Sequence, residues 1–148
     1  MKIWSVISLL CLCFTFQSCS IFKSTNATVN IEADEKANYS APVQIEFIFI
    51  TKQEIQNVVN SMSAQEWFTK REQFLRDNPN KDEVVSHYFE WIPGQKKKDI
   101  VLKGNGAIDA VVFVNYSKSS SANRGKVITG SNVTLKLRET KFEIITNE

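Results

Sequence analysis

Three thiols, Cys11, Cys13 and Cys19, stand within nine residues at the front of this 148-residue chain, and no cysteine follows them. A thiol can ligate zinc, act as a nucleophile, close a disulfide or carry a covalent group. Zinc sites draw on several Cys and His ligands, and the chain offers a single histidine, His87. Nucleophilic catalysis needs a base within hydrogen-bond reach, but His87 sits in "VVSHYFEWI" between Val85 and Phe89, where a packed or surface side chain is expected. No G-x-S-x-G elbow is present. "ADEKAN" (33–38) has neighbouring carboxylates without the spaced oxygens and glycine of a calcium loop. "GNGAID" (104–109) lacks the spacing of a phosphate loop and reads as a turn. No catalytic, metal or cofactor residue is expected, which leaves the cysteines.

Their surroundings separate them. Lys2 precedes an apolar run from Ile3 to Phe16, whose helix would span about 21 Å, short of a ~30 Å bilayer core. A charged start followed by a short apolar stretch is the pattern of a secretory signal peptide, here residues 1–18. Cys11 and Cys13 would leave with it as apolar filler. "FQSC" (16–19) resembles the lipobox of bacterial lipoproteins, with Ser18 at the small position before the cysteine. That resemblance implies that Cys19 receives a diacylglycerol thioether, becomes the new N-terminus and is acylated there. Ser20 at the next position implies delivery to the outer membrane. Two or more acyl chains hold a protein far more firmly than one. The alternative is an ordinary signal peptide, which would leave one unpaired thiol in an oxidising compartment.

Beyond residue 18 the chain carries 17 basic and 16 acidic side chains, since Lys2 is the one charge removed with the leader. Such balance argues against nucleic acid or an anionic surface as the main partner. Residues 19–26 read as a polar spacer and 27–148 as one domain. Strands are expected at "ATVNIEA" (27–33) and at "VQIEFIFI" (43–50). The latter shows Val43, Ile45, Phe47 and Phe49 on one face, with Ile48 and Ile50 covered on the other. Between them "ADEKANYSAP" (33–42) is a polar loop. Helical spacing follows across about 52–78: Ile55, Val58, Val59 and Met62 form one stripe. Trp67, Phe68, Phe74 and Leu75 then follow a Ser63–Glu66 capping box, with the stem of Arg71 along their stripe.

Strand patterns return at 84–92, 99–103, 110–116, 132–139 and 141–146, with "PGQKKK" (93–98) as a turn and 117–126 as a polar loop. Val133, Leu135 and Leu137 are expected inward. Lys96, Lys97 and Lys98 are expected to be solvated. The sequons at Asn26, Asn38, Asn115 and Asn132 would matter only in a eukaryotic chain, which the lipobox disfavours. The whole reads as a mainly β protein, a two-sheet β-sandwich with a helical insertion.

The order of these features resembles the outer-membrane lipoprotein of type VI secretion, the TssJ (SciN) family. The residues carrying the likeness are "SAPVQIEFIFI" (40–50) leaving the loop, "EWF" (66–68) in the helical part and "IPGQ" (92–95) at the turn. "AVVFVNY" (110–116) in a late strand and Arg124 in the loop after it complete the set. The family's "N-P-D" loop motif and the tryptophan before its loop arginine are absent. The resemblance implies a transthyretin-like sandwich on the periplasmic face of the outer membrane. It further implies that the loop 33–42 docks on the periplasmic domain of the inner-membrane protein TssM. Asp34, Glu35, Lys36, Asn38 and Tyr39 would make the contacts, with no cofactor and no small-molecule substrate. The alternative is another lipid-anchored periplasmic binding module, an inhibitor or a pilotin-like assembly factor.

Overall fold

The computed structural model describes residues 25–118 and 123–147. The signal peptide, Cys19 and the spacer up to residue 24 lie outside the described residues. Eight strands and two helices follow one another: β1 (Ala27–Ala33), β2 (Val43–Ile50), α1 (Gln53–Ser61), α2 (Ala64–Asp77), β3 (Val84–Trp91), β4 (Lys96–Leu102), β5 (Asp109–Asn115), β6 (Arg124–Lys126), β7 (Asn132–Leu137) and β8 (Phe142–Asn147). They build two four-stranded sheets in the orders β4-β1-β7-β8 and β3-β2-β5-β6. All neighbours are antiparallel except β1 and β7, which run parallel.

Alternation along the strands decides what each layer buries. Val29 and Ile31 of β1 meet Val43, Ile45, Phe47 and Phe49 of β2, Val112 and Val114 of β5, and Val133, Leu135 and Leu137 of β7 in the core between the sheets. The opposite face of the second sheet presents Ile48, Ile50, Val111 and Phe113 to Ile55 and Val59 of α1 and to Trp67 of α2. β2 and β5 are therefore covered on both faces, and they read as nearly continuous apolar runs.

One polar residue sits in this helix-facing layer. Glu46 of β2 is 0% exposed. The Arg71 guanidinium grips it through Nε to Oε2 at 2.7 Å and Nη2 to Oε1 at 3.0 Å, while Trp67 Nε1 donates to Oε2 at 2.8 Å and Ser86 Oγ to Oε1 at 2.5 Å. Trp67 and Arg71 stand four apart on α2, so both reach the same carboxylate from one helix face. Trp67 also stacks on Phe113 at 5.1 Å, and Arg71 lies 4.9 Å from the Tyr88 ring centre. Sequence reasoning assigned Arg71 only a stem along an apolar stripe; its head pins the helix to the sheet. A second buried acid, Asp109 (3% exposed), ties α1 to β5. Burial pushes its carboxyl up, but hydrogen bonds from Gln56 and Asn60, with Lys126 nearby, prevail and hold it below its ordinary value.

α2 begins with the expected capping box, Ser63 Oγ accepting from Glu66 N and Glu66 Oε2 accepting from Ser63 N. Three expectations need correction. Val58 is exposed, so the buried stripe of α1 is narrower than its spacing suggested. β4 begins at Lys96: the turn ends earlier, closed by Gln95 N to Ile92 O with Gly94 at φ 79°. The three lysines therefore lie on an exposed edge strand, where charge blocks further pairing. A register shift opposite Val29 and Ile31 interrupts that edge, with Asp99 at φ 56° donating its N–H to Asn30 Oδ1. Finally, the polar segment 117–126 closes in a short strand, β6, because Arg124 to Lys126 pair with Val111 to Phe113.

Removing one partner leaves a buried charge uncompensated. Arg71→Ala should lower unfolding free energy by about 3–5 kcal/mol, whereas the paired replacement Glu46→Leu with Arg71→Met should recover most of it. Urea denaturation of the three proteins checks this; a double variant as unstable as the single one contradicts it.

Candidate functional site

The strand directions give the sandwich two distinct ends. Thr25 and Asn26 enter at the start of β1, where Asn26 Oδ1 accepts from Gly104 N, Thr25 Oγ1 from Gly106 N and the Asn26 carbonyl from Gly130 N. β1 then crosses the first sheet and delivers the chain to the loop 33–42 at the far end. The turn between β3 and β4 and the turn between β7 and β8 flank that loop. At about 3.3 Å per residue, the seven residues of β1 separate the two ends by roughly 23 Å.

The loop is held from several sides. Ala33 N donates to Gln95 O, Asp34 N to Leu137 O, Asn38 N to Arg138 O and Gly94 N to Asp34 O, at 2.9–3.2 Å. The Asn38 amide donates to Pro42 O at 2.8 Å and accepts from Ser117 N at 2.6 Å. Arg138 bridges Asp34 (3.1 Å) and Glu143 (3.3 Å); the hydrogen bonds it donates to these acids push its guanidinium further up. Beneath the loop, the buried Tyr116 hydroxyl donates to Lys141 O at 2.6 Å, and burial pushes that phenol up.

Within this frame three consecutive non-glycine residues are left-handed: Asn38 (φ 48°), Tyr39 (φ 57°) and Ser40 (φ 62°). That conformation costs an L-residue roughly 1–2 kcal/mol, with asparagine the most tolerant. Such strain persists only where surrounding contacts over-determine it, and it concentrates at sites with a task. Its consequence here is a displayed Tyr39, 40% exposed, with the Lys118 ammonium 4.5 Å over its ring. Glu35 and Lys36 are exposed beside it. They line an open groove of about 570 Å³ with Asp34, Gly94, Lys96 and Glu139.

The structure thus gathers Asp34, Glu35, Lys36 and Tyr39 on one surface and turns Asn38 inward. Asn38 is 2% exposed with both amide atoms engaged, so it serves as the loop's internal brace and leaves the exposed contact set. Asp34 is paired and semi-structural. Sequence reasoning missed Gly94, Lys96, Ser117, Arg138 and Glu139, which lie more than fifty residues from the loop along the chain. Arg124 lies on β6 and donates to Asn60 of α1 at 2.5 Å. His87 donates from Nε2 to Lys103 O at 2.9 Å, with its ring edge-on to Phe49. Among the described residues no three His, Cys, Asp or Glu side chains are placed to hold a metal ion.

No protein-family model and no curated protein sequence matches this chain. Solved structures do. The type VI secretion lipoprotein TssJ1 from Pseudomonas aeruginosa superposes with a TM-score of 0.64 at 14% identity, covering 84% of this chain and 98% of that one. The chain has the TssJ fold. Lip from Serratia marcescens, a membrane-bound component of the type VI secretion system, gives 0.59 at 13% identity over 81% of this chain and 96% of that one. A chain in a structure of the type VI secretion protein TssM C-terminal domain from EAEC gives 0.61 at 13% identity, over 81% and 97%. Each likeness therefore spans almost the whole of the matched chain.

Asn38→Ala should destabilise the domain by about 2–4 kcal/mol, combining a left-handed alanine with unpaired groups at Ser117 and Pro42. Asn38→Gly, which accepts the backbone conformation, should be less damaging by about 1 kcal/mol. Equal losses in denaturant titrations would mean that the amide alone matters.

Proposed function

We propose that this protein is a divergent TssJ-type lipoprotein of a type VI secretion membrane complex. In this reading a lipid on Cys19 tethers it to the outer membrane, and the loop 33–42 grips the periplasmic domain of a TssM-like inner-membrane protein. The observation that carries the reading is the strained, braced loop standing at the opposite end of β1 from Thr25 and Asn26, where the chain enters the fold. A tether and a grip at opposite ends place the sandwich in line between two membranes. Preorganisation by Asn38, Arg138 and the flanking turns lets the loop bind with little further loss of conformational entropy. The displayed tyrosine suits an interface centre, and the exposed Glu35 and Lys36 suit its polar rim.

Load applied between the tether and the loop runs along β1. That strand lies between β4 and β7, so its hydrogen bonds on both sides resist sliding together. The role is mechanical and calls for no catalytic chemistry, in keeping with the structural lipoproteins that share the fold.

Two outcomes test it. Cys19→Ser should move the protein from the outer-membrane fraction to the soluble periplasm; a variant that still fractionates with the membrane contradicts the tether. Combining Glu35→Lys, Lys36→Glu and Tyr39→Gly should weaken binding of the TssM periplasmic domain by about 2 kcal/mol or more, some thirtyfold. Glycine relieves the left-handed residue by about as much as the lost Lys118 contact removes, so stability should stay within about 1 kcal/mol. Undiminished affinity by calorimetry places the interface elsewhere.

A further inference from the structure

The end of the sandwich opposite the loop is unusually apolar for an exposed surface. Val101 is 62% exposed, Ile108 and Ile128 are each 53% exposed, and Ile145 is 40% exposed. The first three belong to this end. Val101 pairs with Thr28 at the start of β1, whereas Ile145 pairs with Thr134, in register with Asn30 halfway along β1. Ile108 donates its N–H to Ile50 O at the end of β2, and Ile128 follows β6 in the same connection as Gly130, which donates to Asn26 O. A cleft of about 420 Å³ is bordered by Leu75, Pro79, Val84 and Val85, with Asn105, from the turn between β4 and β5, on its rim. At the loop end, by contrast, the exposed large apolar residues are Tyr39 and Ile92.

The chain enters the fold through this same apolar end. Thr25 is already fixed to the turn between β4 and β5 by its hydroxyl, accepting from Gly106 N at 2.9 Å. Six residue steps separate it from Cys19, which even fully extended reach only about 20 Å. A lipid on Cys19 therefore holds Thr25, and with it this end of the sandwich, within about that distance of the bilayer. Charge does not oppose the approach: Lys52 pairs with Glu83 and Lys126 with Asp109, and the exposed Lys81, Asp82 and Lys103 include both signs.

From this geometry we propose that the tether end is a membrane-seating surface. Val101, Ile108 and Ile128 rest in the headgroup layer of the leaflet that carries the anchor, and the loop 33–42 points away from it. The inference rests on the lipid tether at Cys19. The occupant is the bilayer itself, because the short leash brings that surface to this end before any protein partner. Seating fixes the long axis of the sandwich near the membrane normal, where a flexible leash alone would let it tumble.

The test uses the full lipidated protein, purified and reconstituted into phosphatidylethanolamine–phosphatidylglycerol vesicles containing a headgroup-nitroxide lipid. With Cys19 blocked by its thioether, Ile108→Cys or Ile128→Cys provides one reactive thiol for an environment-sensitive fluorophore. Ile92→Cys, as apolar and as exposed but at the far end, is the control. Apolar faces of interfacial elements lie ~5–10 Å into the boundary, so label emission at 108 and 128 should fall about twofold or more, and not at 92. Equal emission at all three positions on vesicle-bound protein overturns the seating surface and leaves the tether intact. Failure of the protein to float with vesicles overturns the tether and the seating surface with it. A labelled Ile108→Glu, Ile128→Cys variant that stays bound but loses its quenching ties the effect to the apolar contact.

Discussion

The position of the two helices depends on the carboxylate of Glu46. It emerges from the central strand of the second sheet into a layer otherwise made of isoleucine, valine and phenylalanine, where a lone charge is untenable. Four donor contacts from Arg71, Trp67 and Ser86 satisfy it. They are directional, whereas the apolar packing around them is not. Apolar burial drives α2 onto the sheet, and the carboxylate selects the rotation and register at which it settles. Arg71 can do this because one flank stays a quarter exposed, which lessens the penalty of burying its charge.

With the helices settled on the second sheet, the first sheet is left to link the two ends of the molecule. β1 is flanked on both sides, begins where the chain enters and finishes in the braced loop. Its parallel pairing with β7 brings Leu137 and Arg138 up against Asp34 and Asn38, so the strand that stabilises the tether end also supplies the far end's brace. The strain held at Asn38, Tyr39 and Ser40 is affordable only because this brace is made of the main chain of a neighbouring strand. The result is a polarised domain, with aliphatic side chains around the chain's point of entry and charge with one tyrosine at the opposite tip.

Much of the scaffold was legible residue by residue. The alternation in 43–50 identified a strand covered on both faces, and Ser63 with Glu66 located a helix start to the residue, because both signals depend on neighbours along the chain. The lysines at 96–98 were misread as a turn: exposed edge strands lack the apolar alternation that marks a half-buried one. The pairing of 124–126 was invisible for a related reason, since three polar residues form a strand only when a partner such as β5 is in place. Among the expected contact residues, Asn38 was misjudged because polarity alone does not distinguish a solvated asparagine from one bonding the backbone at Pro42 and Ser117.

The sequence by itself determined the balance of charge, the single histidine, the crowding of every thiol before residue 20 and the periodicities that specify the strands and helices. Those follow from composition and local spacing, which need no knowledge of the fold. Tertiary structure decided that Glu46 would be buried, that Arg138 would buttress Asp34 from 104 residues away, and that three scattered aliphatic residues would collect at one end. Such groupings arise only when distant segments pair. Hydrogen bonding and burial act through space, and the chain's own spacing carries no record of which of its distant parts will meet.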